Sequence, residues 1–216
     1  MAQDTYPGAA HPGYEKHPGY ENRGAERVKL VVGLGNPGKK YEGTRHNVGY
    51  QVLAELARRH ATGPVVQKFQ GELADVQIAS QRVFLLSPLT FMNRSGQSVR
   101  AAVDFYKMEL DDLIVVCDDL NLSLGQLRFR ARGSAGGQKG LADVIQKLGS
   151  EQFSRLRLGI GTPPAAWDVA DFVLSRFSNQ ERDEIDVAVQ IAVKGIEDWV
   201  THDIQHCMNQ YNGAAK

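Results

Sequence analysis

The stretch Val28-Lys29-Leu30-Val31-Val32-Gly33-Leu34-Gly35-Asn36-Pro37-Gly38-Lys39-Lys40-Tyr41-Glu42-Gly43-Thr44-Arg45-His46-Asn47 decides how the chain is read. Its opening apolar run has the length and composition of a buried strand, so the glycine-rich loop hangs from the C-terminal edge of a sheet, where α/β folds keep their sites. Gly33, Gly35 and Gly38 match the spacing of a dinucleotide fingerprint. That fingerprint needs a helix to open at once and present its N-terminus to a pyrophosphate. Here Pro37 biases Asn36 away from helical angles, Gly43 interrupts again, and helical periodicity begins only after His46. An acidic partner for a ribose, expected about 20 residues on, would be Glu55, which falls inside a helix. The loop is therefore read as a site of another kind.

Outward from this loop the pattern is an alternation of strands and helices. Val48, Val52, Leu53 and Leu56 keep helical spacing to about Arg59, and Gly63-Pro64 stops the run. Residues 71–79 and 82–86 read as a hairpin that Pro88 breaks, and a helix capped near Ser95 carries Val99, Ala102, Val103 and Tyr106 on one face. Leu113-Ile114-Val115-Val116-Cys117 is apolar at every position, which places it centrally in the sheet. A strand over 126–132, a glycine-rich turn at 133–137, a helix to about Leu148 and a strand over 155–160 follow. A short helix around Ala170–Leu174 precedes a long one to about Trp199, which starts at the capping box Ser178-Asn179-Gln180-Glu181. The expected fold is a single α/β domain over 27–212, a twisted mixed β-sheet flanked by helices. Residues 1–26 hold the duplicated units His11-Pro12-Gly13-Tyr14-Glu15-Lys16 and His17-Pro18-Gly19-Tyr20-Glu21-Asn22 with almost no aliphatic side chains. They are expected to form a disordered N-terminal tail, and residues 213–216 a C-terminal one.

Composition narrows the function. Lys and Arg number 25 and Asp and Glu also 25, so attraction to nucleic acid must come from a local patch rather than from the whole chain. Two cysteines are too few to staple a secreted scaffold, no apolar run nears the roughly 18 residues that span a bilayer, and the leader lacks an apolar signal core. A cytoplasmic protein with no membrane partner is expected.

Four places carry candidate chemistry. His46 closes a loop that also bears Asn36, Tyr41 and Arg45, where a base would face a bound substrate; a helix-entry histidine with a satisfied ring is the plainer alternative. Asp118 ends the apolar strand, where a carboxylate can fix a histidine's tautomer, although Asp119 could fill that place and either could be a turn residue. Asn93 follows Phe91 and Met92 and could donate to a carbonyl or an oxyanion. Between 128 and 157 stand Arg128, Arg130, Arg132, Lys139, Lys147, Arg155 and Arg157 against only Asp143 and Glu151. Alternation sets the first three on one strand face, and Lys139 stands by the first turn of a helix, which suits a phosphate backbone or a solvated edge. His202, His206 and Cys207 have a spacing that could bind metal, but nothing completes the set. With no serine elbow in the chain, water is the natural attacking group for a histidine base.

Taken together, Gly33-Leu34-Gly35-Asn36-Pro37-Gly38 with Tyr41 and Thr44-Arg45-His46-Asn47, Thr90-Phe91-Met92-Asn93 with Ser95-Gly96, Asp118-Asp119-Leu120, Gly133-Ser134-Ala135-Gly136-Gly137 with Gly140-Leu141, and Arg157-Leu158-Gly159-Ile160-Gly161 resemble the bacterial peptidyl-tRNA hydrolases. The likeness runs from about Lys29 to Asn209 in the family's order. It implies a monomeric esterase that needs no metal or organic cofactor and no obligate protein partner, with peptidyl-tRNA as its substrate. By the resemblance His46 is the general base, Asp118 orients it, and Asn36 contacts the first peptide group that only a blocked substrate has. Asn93 would bind near the scissile ester, and Tyr41 and Phe91 would line the site. The chain departs from the pattern in three places. Gln138-Lys139 stands where the family usually has His-Asn, so that Lys139 would meet a phosphate as a point charge. Cys117 replaces a frequent histidine, and Asn121 a frequent second acid. A noncatalytic RNA-binding protein on the same scaffold and a nucleotide-dependent enzyme are the rival readings.

Overall fold

A computed structural model describes residues 28–213; the expected tail at 1–26 and, apart from Gly213, the one at 213–216 lie outside the described residues. Seven strands form one mixed sheet: β1 (Lys29–Gly33), β2 (Val66–Lys68), β3 (Gly71–Ile78), β4 (Gln81–Pro88), β5 (Leu113–Asp119), β6 (Leu127–Arg130) and β7 (Ser154–Gly159). Their order is β2-β3-β4-β1-β5-β7-β6. The four central strands β4, β1, β5 and β7 run parallel. β3 and β6 run antiparallel to their neighbours β4 and β7, and β2 closes the far edge against β3. This bears out the mixed α/β sheet, with all seven residues of β5 buried between β1 and β7.

Side-chain alternation divides the core in two. Val31, Ile114 and Val116 point to one face, where α1 (Val48–His60) and α5 (Asn179–Thr201) lay Val52, Leu56, Ala192 and Ile196 over the sheet. Leu30, Val32, Leu113 and Val115 point to the other, under α2 (Ser95–Tyr106) and α3 (Lys139–Leu148) with Val99, Ala102, Leu141 and Val144. Such a period-2 division of a strand buried on both faces makes it apolar throughout. α1 comes unusually close to the sheet because Gly49 carries no side chain: a Cβ there would meet the Leu34 backbone at 2.5 Å and Val116 O at 2.7 Å. The capping box at α5 is present, Ser178 Oγ accepting from Glu181 N at 3.4 Å and Glu181 Oε2 accepting from Ser178 N at 2.8 Å.

Several local expectations need correction. β4 runs through Pro88 instead of breaking there, because Pro88 lies beyond Leu86, the last residue in register with β1, so its missing N–H costs that pairing nothing. Ser95 is not a cap: it is the first residue of α2, and its Oγ donates to Met92 O at 2.8 Å. β6 ends at Arg130, leaving Arg132 outside the strand. The region of His202 and His206 is ordered as α6 (Ile204–Tyr211), capped by Asp203, whose Oδ1 accepts from His206 N at 2.7 Å. α6 seals Cys207 and packs on β6. The short α4 (Val169–Leu174) stands where it is expected.

Candidate active site

The loops that leave the C-terminal ends of β1, β4 and β5 meet over one cavity of about 770 Å³, which the start of α3 and the face of α4 complete. No helix opens on the Gly33–Gly38 loop; short 3₁₀ turns at Lys39–Tyr41 and Arg45–Asn47 lead to α1 at Val48. That geometry leaves no helix N-terminus at the glycines for a pyrophosphate.

His46 sits in the second of these turns with Nδ1 2.8 Å from Asp118 Oδ2. Its side chain keeps 12% of its surface exposed and Asp118 only 3%. A carboxylate oxygen can only accept, so Nδ1 carries the proton in this pair and Nε2 is left with a lone pair. Of the two adjacent acids, Asp118 is the one against His46. Asp119 turns away: its Oδ2 accepts from Arg157 Nη1 at 3.0 Å and its Oδ1 from Asn121 N at 2.7 Å.

The loop is braced so that His46 has little freedom. Arg45, itself buried, reaches across the fold to both carboxylate oxygens of Glu181 at 2.8 Å and to Ile160 O at 3.0 Å. Its guanidinium lies over the rings of Phe172 and Phe177, 4.4 and 4.6 Å from their centroids. Asn47 clamps Asn36, accepting from Asn36 N at 2.9 Å and donating to Asn36 O at 3.0 Å. Asn36 Oδ1 in turn accepts from Met92 N at 2.8 Å. With Oδ1 and the backbone engaged, the Asn36 Nδ2 donor remains for whatever enters the cavity it lines.

The other predicted side chains distribute unevenly. Phe91 and Asn93 line the cavity from the loop after β4, both exposed. Lys139 lines it as the exposed first residue of α3. Tyr41 is not on the wall; its ring meets Phe91 edge-on at 6.5 Å, so it borders the site through Phe91. The basic segment does not act as a unit. Arg128 and Arg130 lie on the edge strand β6, but Arg155 and Arg157 are buried. Arg155 donates to Glu151 O and Phe153 O, and Arg157 to Ser134 O and Asp119, so these two hold loops rather than face solvent. His202 and His206 stack their rings at 4.3 Å, and among the described residues no group of three or more His, Cys, Asp or Glu side chains could hold a metal ion.

Gln138 and Asn47 carry site geometry that their sequence positions did not disclose. Gln138 Nε2 donates to Asp118 Oδ1 at 3.0 Å, on the oxygen His46 does not use. Asn47 closes the quoted loop at the N-terminus of α1, and its bracing role has no sequence signal apart from an amide at a helix start. Val169, Val173 and Leu174 of α4 give the cavity an apolar wall opposite these polar groups.

A half-buried His46 against a buried Asp118, with amides and an apolar wall around them at the C-terminal edge of a mixed α/β sheet, is the kind of arrangement in which a hydrolase can activate water beside a carbonyl. The family described as peptidyl-tRNA hydrolase matches residues 30–216. The chain is 50% identical over 188 residues to the peptidyl-tRNA hydrolase of Rhodopirellula baltica, covering 87% of this chain and 99% of that one. It is 45% identical over 185 residues to that of Chlorobium phaeobacteroides, covering 86% and 98%. The solved peptidyl-tRNA hydrolase of Acinetobacter baumannii superposes with a TM-score of 0.79 at 34% identity, over 87% of this chain and 96% of that one. The chain belongs to the peptidyl-tRNA hydrolase family.

Proposed function

We propose that this protein hydrolyses the ester between a peptide and the ribose of tRNA, with His46 as general base and water as nucleophile. The observation that carries the reading is the 2.8 Å contact between His46 Nδ1 and Asp118 Oδ2 inside a cavity lined by amide donors. Nε2 takes a proton from water as the oxygen attacks the ester carbonyl, and Asp118 stabilises the imidazolium that forms. The developing oxyanion needs donors, and Asn36 Nδ2 and Asn93, which line the cavity, would supply them. Collapse of the tetrahedral intermediate breaks the bond to the ribose oxygen, and that oxygen leaves with the proton His46 holds.

Asn36 also sorts substrates, because its free amide meets the first peptide group, which only an N-blocked substrate has. The apolar wall of α4 and Phe91 receive the peptide side. Lys139, Arg128 and Arg130 meet the phosphates of the tRNA end, a local patch on a chain of zero net formal charge. The protein acts as a monomer with no obligate protein partner, as the family resemblance implies. Two buried free thiols suit a reducing, cytoplasmic setting, and no described helix is long and apolar enough to cross a membrane.

The test is cleavage of an N-acetylated aminoacyl-tRNA beside the same tRNA with a free amino group, by wild type and His46→Ala. Cleavage of the blocked substrate alone, lost in the variant while tRNA binding persists, is the expected result. RNA binding with no cleavage by wild type would move the assignment to a noncatalytic RNA-binding protein, and loss of both activities in the variant would make His46 structural.

A further inference from the structure

Gln138 is 7% exposed, and both ends of its amide are engaged. Oε1 accepts the Leu141 N–H at 2.6 Å, which makes Gln138 the side-chain cap of α3. Nε2 then falls 3.0 Å from Asp118 Oδ1 and 3.2 Å from Met92 Sδ. The amide cannot be turned over, since that would set NH₂ against the Leu141 N–H and a carbonyl against a carboxylate. Asp118 is thus held by two donors, His46 on Oδ2 and Gln138 on Oδ1.

We propose that Gln138 is a positioning residue for the hydrolytic reaction: it fixes the Asp118 carboxylate in the orientation that receives His46 Nδ1–H and ties that carboxylate to the N-terminus of α3. The proposal rests on His46 and Asp118 being the working pair. The terminal torsion of a carboxylate is broad, so an Asp118 held only by His46 would turn with the ring it is meant to hold. A fixed amide donor removes that freedom and has no proton of its own to gain or lose. The remaining charged groups on the cavity are Asp119 and Arg157, which pair with each other, Lys139 on α3, and Asp168 at the start of α4. Gln138 is a neutral contact on the Asp118 carboxylate, beside the titratable one from His46. An imidazole at 138, as the family pattern has it, would add a titrating group there.

Three variants separate positioning from capping. Gln138→Glu keeps an oxygen for the Leu141 N–H but can donate to Asp118 only while its carboxyl is protonated. Gln138→Met removes both contacts, and Gln138→His returns a ring N–H. With N-acetylated aminoacyl-tRNA, Gln138→Glu should lose roughly 10- to 100-fold in kcat at neutral pH with KM little changed, the size of one hydrogen bond to a charged group. The loss should shrink toward acid pH, where the new carboxyl donates. Gln138→His should recover most of the kcat that Gln138→Met loses, and should add a second ionisation to the acid limb. A Gln138→Glu enzyme with the wild-type kcat and pH profile would reduce Gln138 to a cap and overturn the proposal. So would a Gln138→His enzyme no more active than Gln138→Met. The His46 ring resonances, followed by NMR titration without substrate in wild type and in Gln138→Met, which adds no charge, give a reading independent of turnover. A displaced titration supports positioning even if the ester is not the substrate, and an identical one refutes it.

Discussion

Replacing Asp118 with asparagine tests the dyad more sharply than deleting it, because the two side chains have the same shape. Asp118 faces two N–H donors, His46 Nδ1 at 2.8 Å and Gln138 Nε2 at 3.0 Å, and both of its oxygens accept. An asparagine has one acceptor and one NH₂. If its oxygen keeps Gln138, its NH₂ faces His46 Nδ1, which must then accept; the ring proton moves to Nε2 and the base has no lone pair toward the substrate. If its oxygen keeps His46, its NH₂ opposes the Gln138 NH₂ in a buried place, and an unmade contact there costs about 1–3 kcal/mol. The first arrangement has no such clash and is favoured. A wrong tautomer in an otherwise intact dyad of this kind costs about 10⁴ in rate, or about 5.4 kcal/mol at 1.36 kcal/mol per decade. Single-turnover cleavage of N-acetylated aminoacyl-tRNA, with the affinity for deacylated tRNA measured in parallel, reads both halves. The expected result is a rate lower by three to four decades, on the order of that tautomer cost, with binding unchanged. A loss of less than about tenfold would mean that His46 does not depend on Asp118 for its tautomer.

Lys139→Ala should weaken tRNA binding and reduce the slope of log affinity against log salt by nearly one unit, about 0.7–0.9 for one phosphate contact; an unchanged slope removes Lys139 from the phosphate contacts. Gly49→Ala should lower stability in urea unfolding by about 1–3 kcal/mol despite alanine's better helix propensity, because its Cβ would meet backbone atoms of Leu34 and Val116 that cannot retreat. Burial pushes the thiols of Cys117 and Cys207 up to about 12 from an ordinary 9.0. Above that ordinary value the unfolded chain sheds thiol protons that the folded chain keeps, so stability is complete well below pH 9 and falls as pH rises toward 12, by on the order of 1 kcal/mol per thiol at pH 10. Urea unfolding at pH 8 and 10 should show the drop in wild type and lose most of it in the double Cys→Ala variant.

The sheet was legible wherever burial leaves a compositional mark. β1 and β5 are apolar on both faces because helices cover both, and such runs announce themselves. β2 has three residues, two of them exposed, so Val66-Gln67-Lys68 carries neither length nor alternation. α6 buries only Cys207, and its apolar stripe is too thin to see, although the Asp203 cap was a readable signal. The basic segment misled for a definite reason. Arg155 and Arg157 alternate with Leu156 and Leu158 as on a half-exposed strand, but β7 is buried on both faces and the ends of its two guanidinium groups donate to backbone carbonyls and Asp119 inside the fold. At the site, the His46 loop and the end of β5 could be named because sheet topology brings strand ends together. The Gln138–Asp118 bond spans 20 residues and depends on one rotamer at a helix cap, which leaves no local pattern.

Glu181 serves two masters: it completes the capping box of α5 and holds Arg45, the residue before His46. Arg45 and its carboxylate stand 136 residues apart. As the chain is synthesised from its N-terminus, the His46 loop therefore emerges long before the acid that fixes it. The nascent protein can build β1 and α1 early, yet its histidine stays unbraced until the head of α5 has been made and has folded back. The brace on this loop is therefore one of the later contacts of the fold to be completed as the chain grows.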